Sequence, residues 1–228
     1  MSLILNIDTA TETAHVSIAK DGIVLKACDN ASQKDHASFL QPAILQMTIA
    51  AEVTLKEIDA IAVTAGPGSY TGLRIGLASA KGLCYALNKP LIMINTLEVL
   101  TASALYQQGD KAANGSTLFC PMIDARRMEV FTAIYNDQLA IILSPQAMVL
   151  EEQSFKAPLE KNRVLFFGSG SVKWSAICHD PNAFFETVPI LPQAMSHLSN
   201  QFYSRQQFAD PAYSEPFYLK EFQIVTKK

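Results

Sequence analysis

The stretch Ile61-Ala62-Val63-Thr64-Ala65-Gly66-Pro67-Gly68-Ser69-Tyr70-Thr71-Gly72-Leu73-Arg74-Ile75-Gly76, continuing to Gly82, decides the fold. Ile61 to Thr64 is a short apolar, β-branched run of the kind that forms a buried strand. Gly66-Pro67-Gly68-Ser69 breaks that strand, and Ser69 is placed to cap whatever helix follows. From Tyr70 to about Leu87 the residues suit a helix. Within it Gly72, Gly76 and Ala80 recur every four positions. A glycine inside a helix costs about 1 kcal/mol relative to alanine, so such a stripe implies a close neighbour. Two neighbours fit: another element of the same lobe, or a helix of another subunit. In the second case Leu40, Ile44 and Met47 extend the face.

Working outward, Leu3–Ile7, Ala14–Ala19 and Ile23–Cys28 read as strands, with Asp21-Gly22 as a hairpin turn. A helix is expected from about His36 to Ala51, with Pro42 in its first turn or kinking it. Strand Ile58–Thr64, helix Tyr70–Leu87 and strand Leu91–Ile94 follow. The second half repeats the order more weakly: strands Leu118–Ile123, Glu129–Tyr135 and Leu139–Leu143, a polar stretch from Glu151 to Arg163, strand Val164–Phe167, a short helix near Trp174, and a last helix over Gln193–Gln207. Two βββαβα units predict an α/β protein with a duplicated ribonuclease-H-like fold and a cleft between its lobes. The lobes are expected at 1–106 and 117–212, joined through Gln107–Ser116, with 213–228 as a tail.

The 228 residues carry a net charge of −3, with 49% hydrophobic and 17% charged side chains. That composition suits an ordered globular chain and gives no general attraction to nucleic acid or anionic membrane. Cys28, Cys84, Cys120 and Cys178 form no C-x-x-C pair and read as reduced thiols. The chain opens directly into a strand, without a signal-like segment, and has no apolar run of membrane-spanning length. A cytoplasmic location is expected.

Four turns are candidate sites. Asp8-Thr9-Ala10-Thr11 ends the first strand, where the duplicated fold places a phosphate-binding turn. Ala10 puts a methyl group where close backbone approach is needed, and Asp8 or Thr9 could simply cap local N–H groups. Gly66-Pro67-Gly68-Ser69 could cradle an anion at a helix N-terminus, but no G-K-[ST] follows, and a tight reversal accounts for it equally. Asp124-Ala125-Arg126-Arg127 could bind phosphate or RNA backbone, or stiffen its own turn through an Asp–Arg pair. Gly168-Ser169-Gly170 occupies the place of an adenosine-binding turn. His36 has Leu40, not histidine, one helical turn on, and His15, His179 and His197 are scattered, so no metal site is expected. No nucleophile elbow is present.

Together the opening Ile4–Thr11, the Gly66–Gly76 block, Ala80-Lys81-Gly82-Leu83, Ile123–Arg127 and Pro216-Phe217-Tyr218-Leu219-Lys220 resemble the TsaB (YeaZ) family, a degenerate branch related to TsaD and Kae1. The likeness spans most of the chain, and Met128 departs from the Arg-Arg-Gly-Glu often found there. It implies an actin-, Hsp70- and sugar-kinase-like fold (ASKHA). It also implies a non-catalytic subunit that binds TsaD, with the ATPase TsaE, to make N6-threonylcarbamoyladenosine next to the anticodon of tRNA. ATP, magnesium and a metal ion would then belong to the partners, and tRNA would be met through the complex. The family's helical interface maps here to Phe39, Leu40, Ile44, Met47, Leu73, Gly76, Leu77 and Ala80, a face that could also form a homodimer. Asp8, Thr9, Asp124, Arg126, Gly168 and Gly170 would be vestigial nucleotide turns. The rival expectation is an active nucleotide-dependent enzyme of the same fold, a small-substrate kinase or a glycoprotease-like hydrolase.

Overall fold

The computed structural model describes residues 1–109 and 117–219. Two five-stranded sheets share one topology. The first holds β1 (Leu3–Asp8), β2 (Ala14–Lys20), β3 (Ile23–Asn30), β4 (Ala60–Gly66) and β5 (Leu91–Asn95), in the order β3-β2-β1-β4-β5. The second holds β6 (Thr117–Asp124), β7 (Glu129–Tyr135), β8 (Ile141–Val149), β9 (Arg163–Phe167) and β10 (Ala183–Glu186), in the order β10-β9-β6-β7-β8. In each, three strands run antiparallel and two more add in parallel through helical crossovers. The duplicated two-lobe α/β fold is therefore present.

The helices are α1 (His36–Ala50), α2 (Tyr70–Leu87), α3 (Thr96–Gln108), α4 (Lys156–Leu159), α5 (Ser171–Ser175) and α6 (Pro192–Ser204). Each lobe is thus longer than the expected unit by a strand or helix: α3 closes the first and β10 precedes α6 in the second. Pro42 lies in the second turn of a continuous α1, on its exposed side. The Ser38 carbonyl that loses its helical donor is also on that side, where water can satisfy it.

β8 runs six residues beyond its expected end, through Pro145. It is an edge strand, where a missing N–H is tolerated. The polar stretch after it contains α4, which seats Phe155 and Leu159 in the second lobe's core. The Phe155 ring meets Phe166 at 5.2 Å and Trp174 at 5.0 Å.

α3 and α6 bind the lobes together. α6 packs on α3 and also against β1, β2, β3 and β5 of the first sheet. Asn6 Nδ2 donates to Ser196 Oγ at 3.2 Å, and Ser2 Oγ donates to Asn200 Oδ1 at 2.7 Å. One hydrophobic core runs from Ile4, Ala62 and Ile94 through Leu97 and Leu100 to Phe119, Phe167 and Leu198. The first sheet lies within residues 3–95 and the second within 117–186, while α3 runs to Gln108 and α6, in the expected second lobe, packs on the first sheet. Most of the expected linker lies outside the described residues.

Candidate functional site

All four candidate turns come together around one cleft between the sheets, of about 1770 Å³. That exceeds the roughly 300–1,000 Å³ of ordinary small-molecule pockets. Its walls include Ala10–Thr13, Gly68–Thr71, Asp124–Glu129, Gly168, Ser169, the 187–190 segment and Tyr218.

The first two turns are closed against each other. Ser69 N donates to the Ala10 carbonyl at 2.7 Å, and Ser69 Oγ accepts from Gly72 N at 3.3 Å. A Cβ added at Gly68 would collide with the Ala10 carbonyl oxygen, and one at Gly72 with that of Thr9. The space a bound phosphate would need between these turns is filled by the chain's own carbonyls. Asp8 is buried. Its Oδ1 accepts from Thr64 Oγ1 at 2.7 Å and from Ala10 N at 3.0 Å, while Oδ2 has no hydrogen-bond partner among the described residues. Asp8 therefore caps its own turn and does not line the cleft.

Gly76 belongs to the same packing, because a Cβ there would collide with Thr9 Oγ1, which itself donates to the Gly72 carbonyl at 2.7 Å. The stripe Gly72, Gly76, Ala80 thus faces the β1–β2 turn and the sheet of its own lobe. The same holds for most of the expected partner interface. Leu40, Ile44, Met47, Leu73, Leu77 and Ala80 are buried in the first lobe, and Phe39 packs partly against that core. Their side chains fill the space between helices and sheet, so they are not a surface a partner can reach. The amphipathic pattern gave the buried side of α1 and α2. Their outer side carries Leu45, Ile49 and Tyr85, 60%, 69% and 91% exposed, and a shallow groove of Gln41, Ala78, Ser79, Gly82 and Leu83.

On the opposite lip, Asp124 pairs with Lys173, not with an arginine, at 2.8 Å. Its Oδ1 also accepts from Arg126 N at 2.6 Å, which steadies Arg126 and Arg127 in left-handed backbone, φ 71° and 47°. Burial pushes the Asp124 carboxyl up, but Lys173 and the Arg126 N–H outweigh it and hold the group below the usual range. Both arginine side chains are exposed and make no ion pair among the described residues. Glu12, Asp29 and Glu129 share the cleft wall, so the positive charge there is local. Gly168 (φ +88°) and Gly170 pack onto β6 and β7, where a Cβ would meet the Met122 carbonyl and Val130 Cγ1.

His36 is buried, with Nε2 3.2 Å from the Glu12 carbonyl, and supports the β1–β2 turn. No group of three or more His, Cys, Asp or Glu side chains suited to a metal occurs among the described residues. Cys84 and Cys120 are buried, and burial raises their thiols to about 11 and about 12; Cys28 and Cys178 are partly exposed. No described helix is long and apolar enough to cross a membrane.

Tyr70 and Tyr218 were not among the expected site residues. Their rings lie 5.5 Å apart at the cleft mouth. Tyr218 belongs to the late Pro216-Phe217-Tyr218-Leu219-Lys220 motif, which resemblance singled out without giving it a role.

A family model described as TsaD, tRNA N6-adenosine threonylcarbamoyltransferase, matches residues 15–176. The tRNA threonylcarbamoyladenosine biosynthesis protein TsaB of Bacillus subtilis (strain 168) is 30% identical over 168 residues, covering 72% of this chain and 70% of that protein. The protein of the same name from Escherichia coli (strain K12) is 36% identical over 133 residues, 58% of this chain and 54% of that one. The solved structure of YeaZ from Pseudomonas aeruginosa superposes with a TM-score of 0.81 at 26% identity, over 96% of this chain and 100% of that one. The sequence matches and the superposition both extend over the two lobes, and the chain belongs to the TsaB (YeaZ) family.

Proposed function

We propose that this chain is a non-catalytic, cytoplasmic subunit of the machinery that makes N6-threonylcarbamoyladenosine in tRNA, and that it works by binding a TsaD partner, with TsaE joining the pair. The carrying observation is the closure of the first two turns by Ser69 N, the Ala10 carbonyl and the side chain of Ser69. A turn whose donors are spent internally is poorly suited to hold a triphosphate for transfer. The names of the Bacillus subtilis and Escherichia coli relatives supply the pathway.

The partner surface in this reading is the outer side of α1 and α2. Leu45 and Ile49 lie one helical turn apart on α1, on the same stripe as Gln41. Gly82 on α2 has nothing within 4 Å of an added Cβ. It carries the helical cost of glycine without a neighbour among the described residues to require it, as expected where another molecule comes close. The same face would serve a homodimer.

The test mixes the purified chain with its cognate TsaD and reads mass by size-exclusion chromatography with light scattering. A one-to-one complex is expected, and the double variant Leu45→Asp, Ile49→Asp should lose it while unfolding at the same urea concentration. No complex at micromolar concentration, with and without TsaE and nucleotide, would refute the reading. Stoichiometric ATP binding and turnover by the isolated chain, measured by calorimetry, would refute the non-catalytic part.

A further inference from the structure

After α6 the chain turns back across the first lobe as a strap from Ala209 to Leu219. Ala209 N donates to the Leu91 carbonyl at 2.8 Å, extending the β5 edge. Asp210 folds the next residues into a turn, its Oδ1 accepting from Ala212 N at 2.7 Å. Lys81 Nζ on α2 then donates to the carbonyls of Ala212 and Ser214 at 3.2 and 3.0 Å. Phe217 N donates to the Ala65 carbonyl at 2.7 Å. Gly66 (φ +112°) leaves room for this crossing, since a Cβ there would lie 2.7 Å from the Phe217 carbonyl oxygen. Finally, Arg74 Nε donates to Tyr218 Oη at 3.1 Å while its guanidinium sits 4.1 Å over the Tyr70 ring.

These anchors are polar and specific, yet the strap buries little. Tyr213 is 85% exposed, Phe217 44% and Tyr218 40%. Segments held by few buried apolar contacts and solvent-accessible hydrogen bonds open with far less free energy than the core. β4, which the strap crosses, is by contrast buried at every position.

We propose that the Ala209–Leu219 strap is a latch that opens separately from the rest of the fold, and that its seating on α2 holds the cleft lip formed by Tyr70 and Tyr218. Lys81 and Arg74 are its two side-chain catches. Opening removes the Tyr218 wall from the cleft and the Tyr218 ring from its place beside Tyr70 at the start of α2.

Hydrogen–deuterium exchange of the intact chain, read by peptide mass spectrometry, tests this. The hydrogen-bonded strap amides of Ala212, Tyr213, Ser214 and Phe217, Phe217 foremost, should exchange much faster than those of β4 in the unmodified protein. Tyr218→Phe and Lys81→Met should each accelerate them by about threefold to tenfold, the effect of one or two net hydrogen bonds. The first turn of α2 should accelerate in step, and the urea midpoint should not move. Strap amides that exchange at the rate of β4, or variants that leave strap exchange unchanged, would overturn the latch. Acceleration confined to the strap, with the first turn of α2 unaffected, would overturn its action on the cleft.

Discussion

Gly76 and Gly82 lie on the same helix, and the same substitution should have opposite effects at the two. An alanine in place of glycine gains about 1 kcal/mol in a helix interior. At Gly82 nothing among the described residues lies within 4 Å of the new methyl, so that gain stands alone. At Gly76 the methyl would land on Thr9 Oγ1, with Val63 Cγ2 at 3.4 Å on its other side. Thr9 is 1% exposed and its hydroxyl donates to the Gly72 carbonyl, so moving that oxygen aside breaks the bond. Displacing it loses a buried hydrogen bond, about 1–3 kcal/mol, and overpacks the contact, about 1–3 kcal/mol more. Subtracting the helical gain leaves a net loss of about 1–5 kcal/mol.

For a chain of this size 1 kcal/mol moves the melting temperature by about 2–4 °C. Gly76→Ala should therefore melt several degrees below the parent, and Gly82→Ala a few degrees above it. Thermal melts and urea titrations of the isolated chain measure both. A double-mutant cycle isolates the cause. Thr9→Ala removes the colliding oxygen, and its Cβ would sit 3.6 Å from the new methyl, an ordinary contact. Gly76→Ala should then cost far less in the Thr9→Ala background. A Gly76→Ala protein as stable as the Gly82→Ala one, or a cycle with no coupling, would refute the packing account of the stripe.

Two further outcomes follow from burial. Leu40→Ala should cost about 2–5 kcal/mol, whereas Leu45→Ala five residues on should stay within about 0.5 kcal/mol, measured by urea midpoints. Equal effects would mean that the two sides of α1 are misassigned. Burial raises the Glu98 carboxyl, with only partial opposition from Arg205. Between the ordinary and the raised value the folded chain keeps a proton that the unfolded chain has released, so stability falls as pH rises through that window. Glu98→Gln should match the parent in acid and be the more stable protein above the window; parallel stability curves at all pH values would contradict this.

Sequence reading located β1 to β9 and α1, α2 and α6, the strands from alternation or short apolar β-branched runs and the helices from their apolar stripes. It missed α3 because that helix has no polar face. Thr96, Leu97, Val99, Leu100, Thr101, Ser103 and Ala104 are all buried, and Thr101 and Ser103 satisfy their hydroxyls on the carbonyls of Leu97 and Val99. A helix sandwiched between two sheets gives no amphipathic signal. β10 escaped because it is a short edge strand with Phe184 and Phe185 partly exposed. At the site, the turns were recognisable from glycine and aspartate, but their occupants were not. Lys173 is far from Asp124 in sequence, and Tyr218 is farther still from Tyr70, so only the fold could pair them.

Glycine explains why the turns look like an enzyme's. A glycine records that something must come within reach of the backbone, not what that thing is. In an open phosphate turn it is the ligand. Here Gly68 admits the carbonyl of Ala10, Gly72 that of Thr9, Gly66 that of Phe217, and Gly168 that of Met122. The demand for room is the same, and the chain itself meets it. That substitution packs the turns within each lobe and leaves the cleft lined but its first turns shut. Gly82 on α2 is instructive, because among the described residues nothing fills its room, which faces outward beside the Gln41–Ser79 groove. On the reading proposed above, that room is where another molecule comes close, and Gly82→Leu should then weaken the complex more than it destabilises the isolated chain.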